Sequence, residues 1–267
     1  MDFKITKHRW RILLWFATRP KFYKQFLREA KTFITRKGHP SLASCPEAER
    51  WCAQREVDIE NAFERLFPSH LFMEVTKLYP EVFEEGMEIT ERESFNWGGQ
   101  GNISLNYNLA EALEARNVLE TGVAYGWSTL SILLSLSKRS GSKLVSVDMP
   151  FIGVTNEEDI GCVVPKKLCQ QWTLIPYPDR EGIPKALNCM ENPDFCHYDS
   201  DKSHSGKIWA LPKLFGTLRQ GGILAVDDIS DNLAFIDFCE QENLDPIVIK
   251  TFDTQVIKHV GLIKKIE

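Results

Sequence analysis

From residue 96 onward, apolar positions fall into short runs rich in β-branched residues. They lie at Asn117–Thr121, Lys143–Asp148, Trp172–Pro176, Asp194–Asp199, Gly222–Asp228, Pro246–Thr251 and Gln255–Lys264. Runs of this length, bounded by turn residues, predict strands. Helical stretches fill the gaps near 127–138, 165–171, 182–190, 206–219 and 230–242. Such alternation predicts an α/β fold with a mostly parallel sheet and right-handed crossovers. Only Phe252-Asp253-Thr254 separates the last two runs. That leaves room for a hairpin and none for a helix, so the sheet is expected to end in one antiparallel strand.

Residues 1–95 have a different rhythm. Trp10, Leu13, Leu14, Phe16, Phe22, Phe26, Leu27 and Phe33 recur at loosely helical spacing among lysines and arginines. Two placements suit such a basic amphipathic segment: packed on the main body with its charges in water, or lying on an anionic membrane. Pro40–Pro46 reads as a linker, Glu47–Leu66 as a second helical stretch, and the acidic run Glu81–Glu93 as a solvated face or loop. The chain thus divides into a basic, mainly helical region (1–95) and an α/β region (96–267).

Composition narrows the class. At 43% hydrophobic and 26% charged over 267 residues, the chain can bury a core and is not a disordered protein. The net charge of −5 hides an asymmetry. Residues 1–38 hold eleven Lys or Arg against Asp2 and Glu29, giving +9, and the remainder sums to −14. An acidic body argues against nucleic acid as a partner. The seven cysteines are odd in number and show no zinc spacing, which reads as small buried side chains in a reducing, cytoplasmic setting. No apolar run reaches the ~18–20 residues of a membrane span. The nearest, Ile12–Ala17, is too short for a signal peptide and no cleavage site follows it.

The chemistry begins at the first strand. Val118-Leu119-Glu120-Thr121-Gly122-Val123-Ala124-Tyr125-Gly126-Trp127-Ser128 runs from a strand through a glycine turn into a helix. Its G-x-x-x-G spacing matches neither the G-x-G-x-x-G dinucleotide fingerprint nor a P-loop. The second strand ends at Asp148, where a carboxylate is placed to accept hydrogen bonds from ribose hydroxyls. Together these residues resemble the class I S-adenosylmethionine-dependent methyltransferases over about residues 96–267. The resemblance implies a Rossmann-like sheet with a closing antiparallel strand. It also implies that Glu120, Gly122, Ala124, Gly126, Ser128 and Asp148 frame S-adenosylmethionine.

Two further strands end in acids, at Asp199 and at Asp227-Asp228. Parallel strands deliver these ends to one edge, and three crowded carboxylates call for a cation such as Mg2+. The arrangement resembles divalent-cation-dependent O-methyltransferases. Asp199-Ser200-Asp201-Lys202 is similar to the string of the catechol and caffeoyl-coenzyme A enzymes, whose Lys is the candidate base. Asp227-Asp228 looks more like the macrolide- and aminocoumarin-sugar enzymes. The resemblance therefore implies a metal held by Asp199, Asp227 and Asp228, with Asp201 or Lys202 taking the proton. His197 reads as a satisfied core histidine and His204 as an exposed one. The glycine-rich Asn96–Asn102 segment reads as either a linker or a cofactor lid.

The expected function is O-methylation of a hydroxyl on a small molecule or sugar, assisted by a divalent metal. Two alternatives are a non-catalytic binding or assembly module on the same fold, and a membrane-peripheral methyltransferase of a lipid-linked glycan anchored through residues 1–38. A homo-oligomer is compatible with the sequence.

Overall fold

The computed structural model describes residues 7–35, 45–93, 97–152, 159–253 and 256–266. Most of the expected linker, Asn96, Thr254 of the expected hairpin connection and Gln255 of the expected last strand lie outside them, as does the boundary between residues 95 and 96.

Eight strands form one sheet: β1 (Glu56–Val57), β2 (Asn117–Thr121), β3 (Lys143–Val147), β4 (Trp172–Ile175), β5 (Phe195–Tyr198), β6 (Ile223–Val226), β7 (Ile247–Asp253) and β8 (Val256–Lys264). Their spatial order is β1-β7-β8-β6-β5-β2-β3-β4. All seven predicted strands are present, and β8 is antiparallel, as expected. It does not lie at the edge. It is inserted between β6 and β7, and β7 in turn pairs in parallel with β1. The two-residue β1 comes from a stretch expected to be wholly helical, and it splits that stretch into α3 (Pro46–Ala53) and α4 (Ile59–Leu66). Asp58 caps α4 by accepting from the Asn61 amide at 2.8 Å.

Central strands are buried on both faces, as in parallel sheets covered by helices. Val118, Phe195 and Ile223 point into one core with α7 (Ile103–Ala112) and α8 (Trp127–Leu136). Their strand neighbours Leu119, Cys196 and Leu224 point into the other, with α9 (Asp179–Cys189), α10 (His204–Thr217) and α11 (Ala234–Gln241). The period of two along each strand generates both cores.

The N-terminal region shares this architecture. Ala62 and Phe63 of α4, Val75 of α5 (Val75–Leu78) and Phe83 are buried in the same core as Ile249 and Leu262. The acidic run expected as a solvated face or loop is α6 (Pro80–Arg92), whose Phe83 stacks on Trp127 with ring centroids 6.0 Å apart. Further upstream, α1 (Lys7–Ala17), α2 (Tyr23–Thr35) and the 3-10 turn Pro20–Phe22 between them form a small separate cluster of Trp15, Phe16 and Phe22. The cysteines are free, with Cys52, Cys196 and Cys239 buried and Cys169 and Cys189 exposed, so only part of the set fits the buried reading.

Candidate functional site at the carboxyl edge of the sheet

The turn between β2 and α8 carries positive φ at Gly122 (+82°), Ala124 (+50°) and Gly126 (+94°). Gly122 has a second reason to lack a side chain. A Cβ there would overlap the carbonyl oxygen of Asp199, which abuts it from the end of β5. The turn is tied to β3 through Asp148, whose Oδ2 accepts from the amides of Val123 (2.9 Å) and Ala124 (2.8 Å). Burial pushes the Asp148 carboxyl up to about 6, against the pull of those amides.

Glu120 has a different place from the rest of the predicted set. It is fully buried and accepts from the hydroxyls of Ser128 (2.6 Å), Thr129 (2.6 Å) and Ser146 (2.7 Å). Glu120 and Ser128 thus brace the turn from beneath, while Gly122, Ala124, Gly126 and Asp148 form its backbone and its tether.

An aromatic stack covers the turn. Trp97 lies between Tyr125 and Phe151, with ring centroids 5.2 Å away on each side. It is buried, yet its indole Nε1 has no hydrogen-bond partner. The same segment reaches the acids, where Asn102 Nδ2 donates to Asp227 Oδ2 at 3.4 Å. The described part of the glycine-rich stretch, 97–102, therefore spans both halves of the site. From the other side, Gly161 N donates to Ala124 O at 2.9 Å and Val163 N to Tyr125 O at 3.1 Å.

The strand-end acids do converge, though not around an open cation position. Lys202 Nζ is paired with a carboxylate oxygen of Asp228 and lies 3.6 Å from Asp199 Oδ1. Lys258 Nζ is 2.9 Å from the other Asp228 oxygen. Both oxygens of Asp228 are thus engaged by ammonium groups, and burial of this carboxyl is outweighed so that its pKa is lowered. Among the described residues, no group of three His, Cys, Asp or Glu is placed to hold a metal ion. The expected chelation by Asp199, Asp227 and Asp228 is not shown, and at Asp228 lysines supply the compensating charge. Asp199 is left with burial and the neighbouring Asp227 charge, which push it up to about 7.

The two expected bases have different surroundings. Burial disfavours the Lys202 ammonium, but Asp199 and Asp228 outweigh it and hold its pKa above the ordinary lysine value. Lys202 is a cation at neutral pH in this arrangement. Asp201 Oδ1 accepts from the Ser203 amide at 2.9 Å, at the start of α10, and makes no ion pair with the acid cluster among the described residues.

His197 is buried, as expected, but not satisfied. Its Nδ1 lies 3.7 Å from Glu120 and its Nε2 lies 3.8 Å from Asp227, and neither nitrogen has a hydrogen-bond partner. Burial opposes its charge, yet the two carboxylates push it up to about 10. It stands between the support of the turn and the acid cluster. His204 is half-exposed and pairs with Asp237 at 2.7 Å.

Two lysines of the site, Lys207 and Lys258, escaped the sequence reading, and Asn102 was read only as the end of the glycine-rich segment. Lys207 is buried, and its ammonium donates to the carbonyls of Asp228 (2.6 Å) and Asp227 (3.2 Å), holding the peptide after β6. Lys258 had a readable signal. In an antiparallel last strand, the beginning of that strand lies at the edge where the parallel strands end.

Residues 119–229 match the family described as a methyltransferase domain. No curated protein matches the chain by sequence. Among solved structures, the chain is similar to a putative O-methyltransferase from Klebsiella pneumoniae, with 15% identity and a TM-score of 0.55, over 83% of this chain and 100% of that one. It is similar to the O-methyltransferase from Bacillus cereus in complex with SAH at 13% identity and a TM-score of 0.53, over 80% and 100%. An O-methyltransferase from Streptomyces achromogenes involved in tomaymycin synthesis, solved with SAM, gives 15% identity and a TM-score of 0.51, over 83% and 99%. What is shared at these identities is the fold. The resemblance read from Glu120 to Ser128 and Asp148 is borne out in the matched segment and in that fold.

Proposed function

We propose that the chain is an S-adenosylmethionine-dependent O-methyltransferase acting on a hydroxyl of a small molecule or sugar. The observation that carries this reading is the contact between two half-sites. The Gly122–Gly126 turn, tethered to Asp148, abuts the Asp199 backbone, so a group held by the turn lies beside the acid cluster.

The turn fits the cofactor. Three positive-φ positions let backbone approach closely, and a carboxylate closes its β3 side. S-adenosylmethionine supplies a methyl group on a sulfonium, an electrophile that needs an aligned nucleophile. The protein's own task is to position and activate the acceptor oxygen. Asp199, pushed up to about 7, is matched to take a hydroxyl proton near neutral pH. The Lys202 ammonium, beside it, stabilises the oxyanion that develops. Asp227 is oriented by Asn102 and faced by His197. Buried Trp97, stacked on Tyr125, is placed to limit water at the turn.

A divalent metal does not fit the acids as they are arranged, since both Asp228 oxygens face lysines. The lysines carry the charge compensation in this reading, and no step is routed through a metal.

The test is calorimetric titration of S-adenosylmethionine and S-adenosylhomocysteine into the full chain, with Mg2+ and then with EDTA, followed by a screen of hydroxyl acceptors. Micromolar cofactor binding that EDTA leaves unchanged is the expected result. A folded protein that binds neither ligand would sink the enzyme reading in favour of a binding module. Binding or transfer that requires Mg2+ would return the acids to a metal.

A further inference from the structure

The α1–α2 hairpin is apolar on two opposite faces. Ile12, Trp15 and Phe16 turn inward, where they cluster with Phe22, Phe26, Met149 and Ile152. Trp10, Leu13, Leu14 and Ala17 fall at i, i+3, i+4 and i+7, which places them on one stripe along the other side. That stripe faces outward, with Trp10 54% and Leu14 60% exposed. Tyr23 extends it, its hydroxyl donating to Ala17 O at 3.1 Å, and Leu27 follows one turn later at 65% exposure. A helix apolar on both sides is one whose second side has a partner.

The charge on the hairpin identifies the partner. Residues 7–35 carry eight lysines and arginines against the single acid Glu29. The outward stripe mixes Trp, Tyr and Leu and sits among long cationic side chains, the composition of a helix lying in a membrane interface. Such side chains bury their stems while reaching for phosphates. We infer that the outer face of the α1–α2 hairpin docks on an anionic phospholipid surface.

The inner face gives this docking a direction. Met149 directly follows Asp148 and Ile152 lies four residues beyond it, and Arg28 Nη1 bonds Glu181 Oε1 at 2.9 Å at the start of α9. The hairpin is therefore fastened beside the β3 end of the candidate site, and docking brings that edge of the sheet close to the lipid. The membrane contact itself does not depend on the methyl-transfer reading.

The experiment is flotation of the full chain with vesicles of phosphatidylcholine alone and of phosphatidylcholine with roughly one third phosphatidylglycerol. Wild type is expected to float with the anionic vesicles and to detach as salt rises. The Leu13→Asp/Leu14→Asp double variant is expected to stay at the bottom of the gradient, with its thermal midpoint and S-adenosylhomocysteine binding unchanged. Lys24→Glu is expected to weaken binding by about fivefold or more, since each cation near the surface contributes about 1 kcal/mol. If the double variant melts early, Lys24→Glu and the salt dependence decide the matter. Three results overturn the inference: wild type that ignores anionic vesicles, variants that float as wild type does, or a wild-type dimer in solution that the double variant breaks. The last would make a second copy the occupant. Failure to bind S-adenosylhomocysteine would count against the methyl-transfer reading alone.

Discussion

At the scale of single residues, the site depends on positions that tolerate no substitute. Gly122→Ala places a methyl group against the Asp199 carbonyl at a φ of +82°. It is expected to cost about 1–3 kcal/mol of stability and to abolish measurable cofactor binding, read by thermal melts and calorimetry. Titration offers a second test. Burial pushes Asp148 and Asp179 up to about 6 and Asp199 up to about 7, from an ordinary value of 3.8. The folded chain holds these protons where the unfolded chain has released them. Their contribution to stability is fully present below pH 3.8 and is lost as pH rises through 6 and 7. Asp179→Asn is expected to flatten the melting profile across that window. The methyl-transfer rate is expected to rise with pH through about 7 as Asp199 ionises, and Asp199→Asn is expected to remove both that rise and most of the rate.

At the scale of elements, local sequence and long-range pairing contribute differently. The seven strands from β2 to β8 were legible because each is an apolar run closed by turn residues. The acids at Asp148, Asp199 and Asp227-Asp228 were legible because a parallel sheet delivers its strand ends to one edge. β1 was not legible. Two residues, Glu56 and Val57, carry no periodicity, and they form a strand because β7 offers an unpaired edge. Glu56 fastens the join by accepting from Lys250 at 2.9 Å and pairing with His259 at 2.8 Å, which lowers its pKa. The lysine compensation of Asp228 was legible only in part: an antiparallel last strand puts Lys258 at the right edge, but the pairing of β8 with β6 that brings it to Asp228 is made only in space. Helix ends are a test at this scale. Ser203 caps α10 by accepting from the Gly206 amide at 3.0 Å, and Ser203→Ala is expected to lower stability by about 1 kcal/mol in denaturant unfolding.

At the scale of the whole molecule, the sequence suggests a helical preface and a catalytic body, whereas the fold joins residues 45–93 to the body. Phe63 is buried with Ile249 and Leu262, at the far end of the chain. Phe63→Ala is expected to cost about 3–5 kcal/mol, as for a core aromatic, although the residue lies outside the matched segment. Removing residues 1–35 is expected to leave a cooperatively melting protein, since their cluster is separate from the main core. Removing residues 1–95 is expected to give insoluble material. Continuity of the core also bears on the order of events during turnover. Trp97 lies across the glycine turn, stacked between Tyr125 and Phe151, and its strand of chain continues to Asn102 at the acids. If the proposed cofactor seats under this one segment, it is expected to bind before the acceptor and to depart after the methylated product, an ordered pattern that product-inhibition kinetics would read.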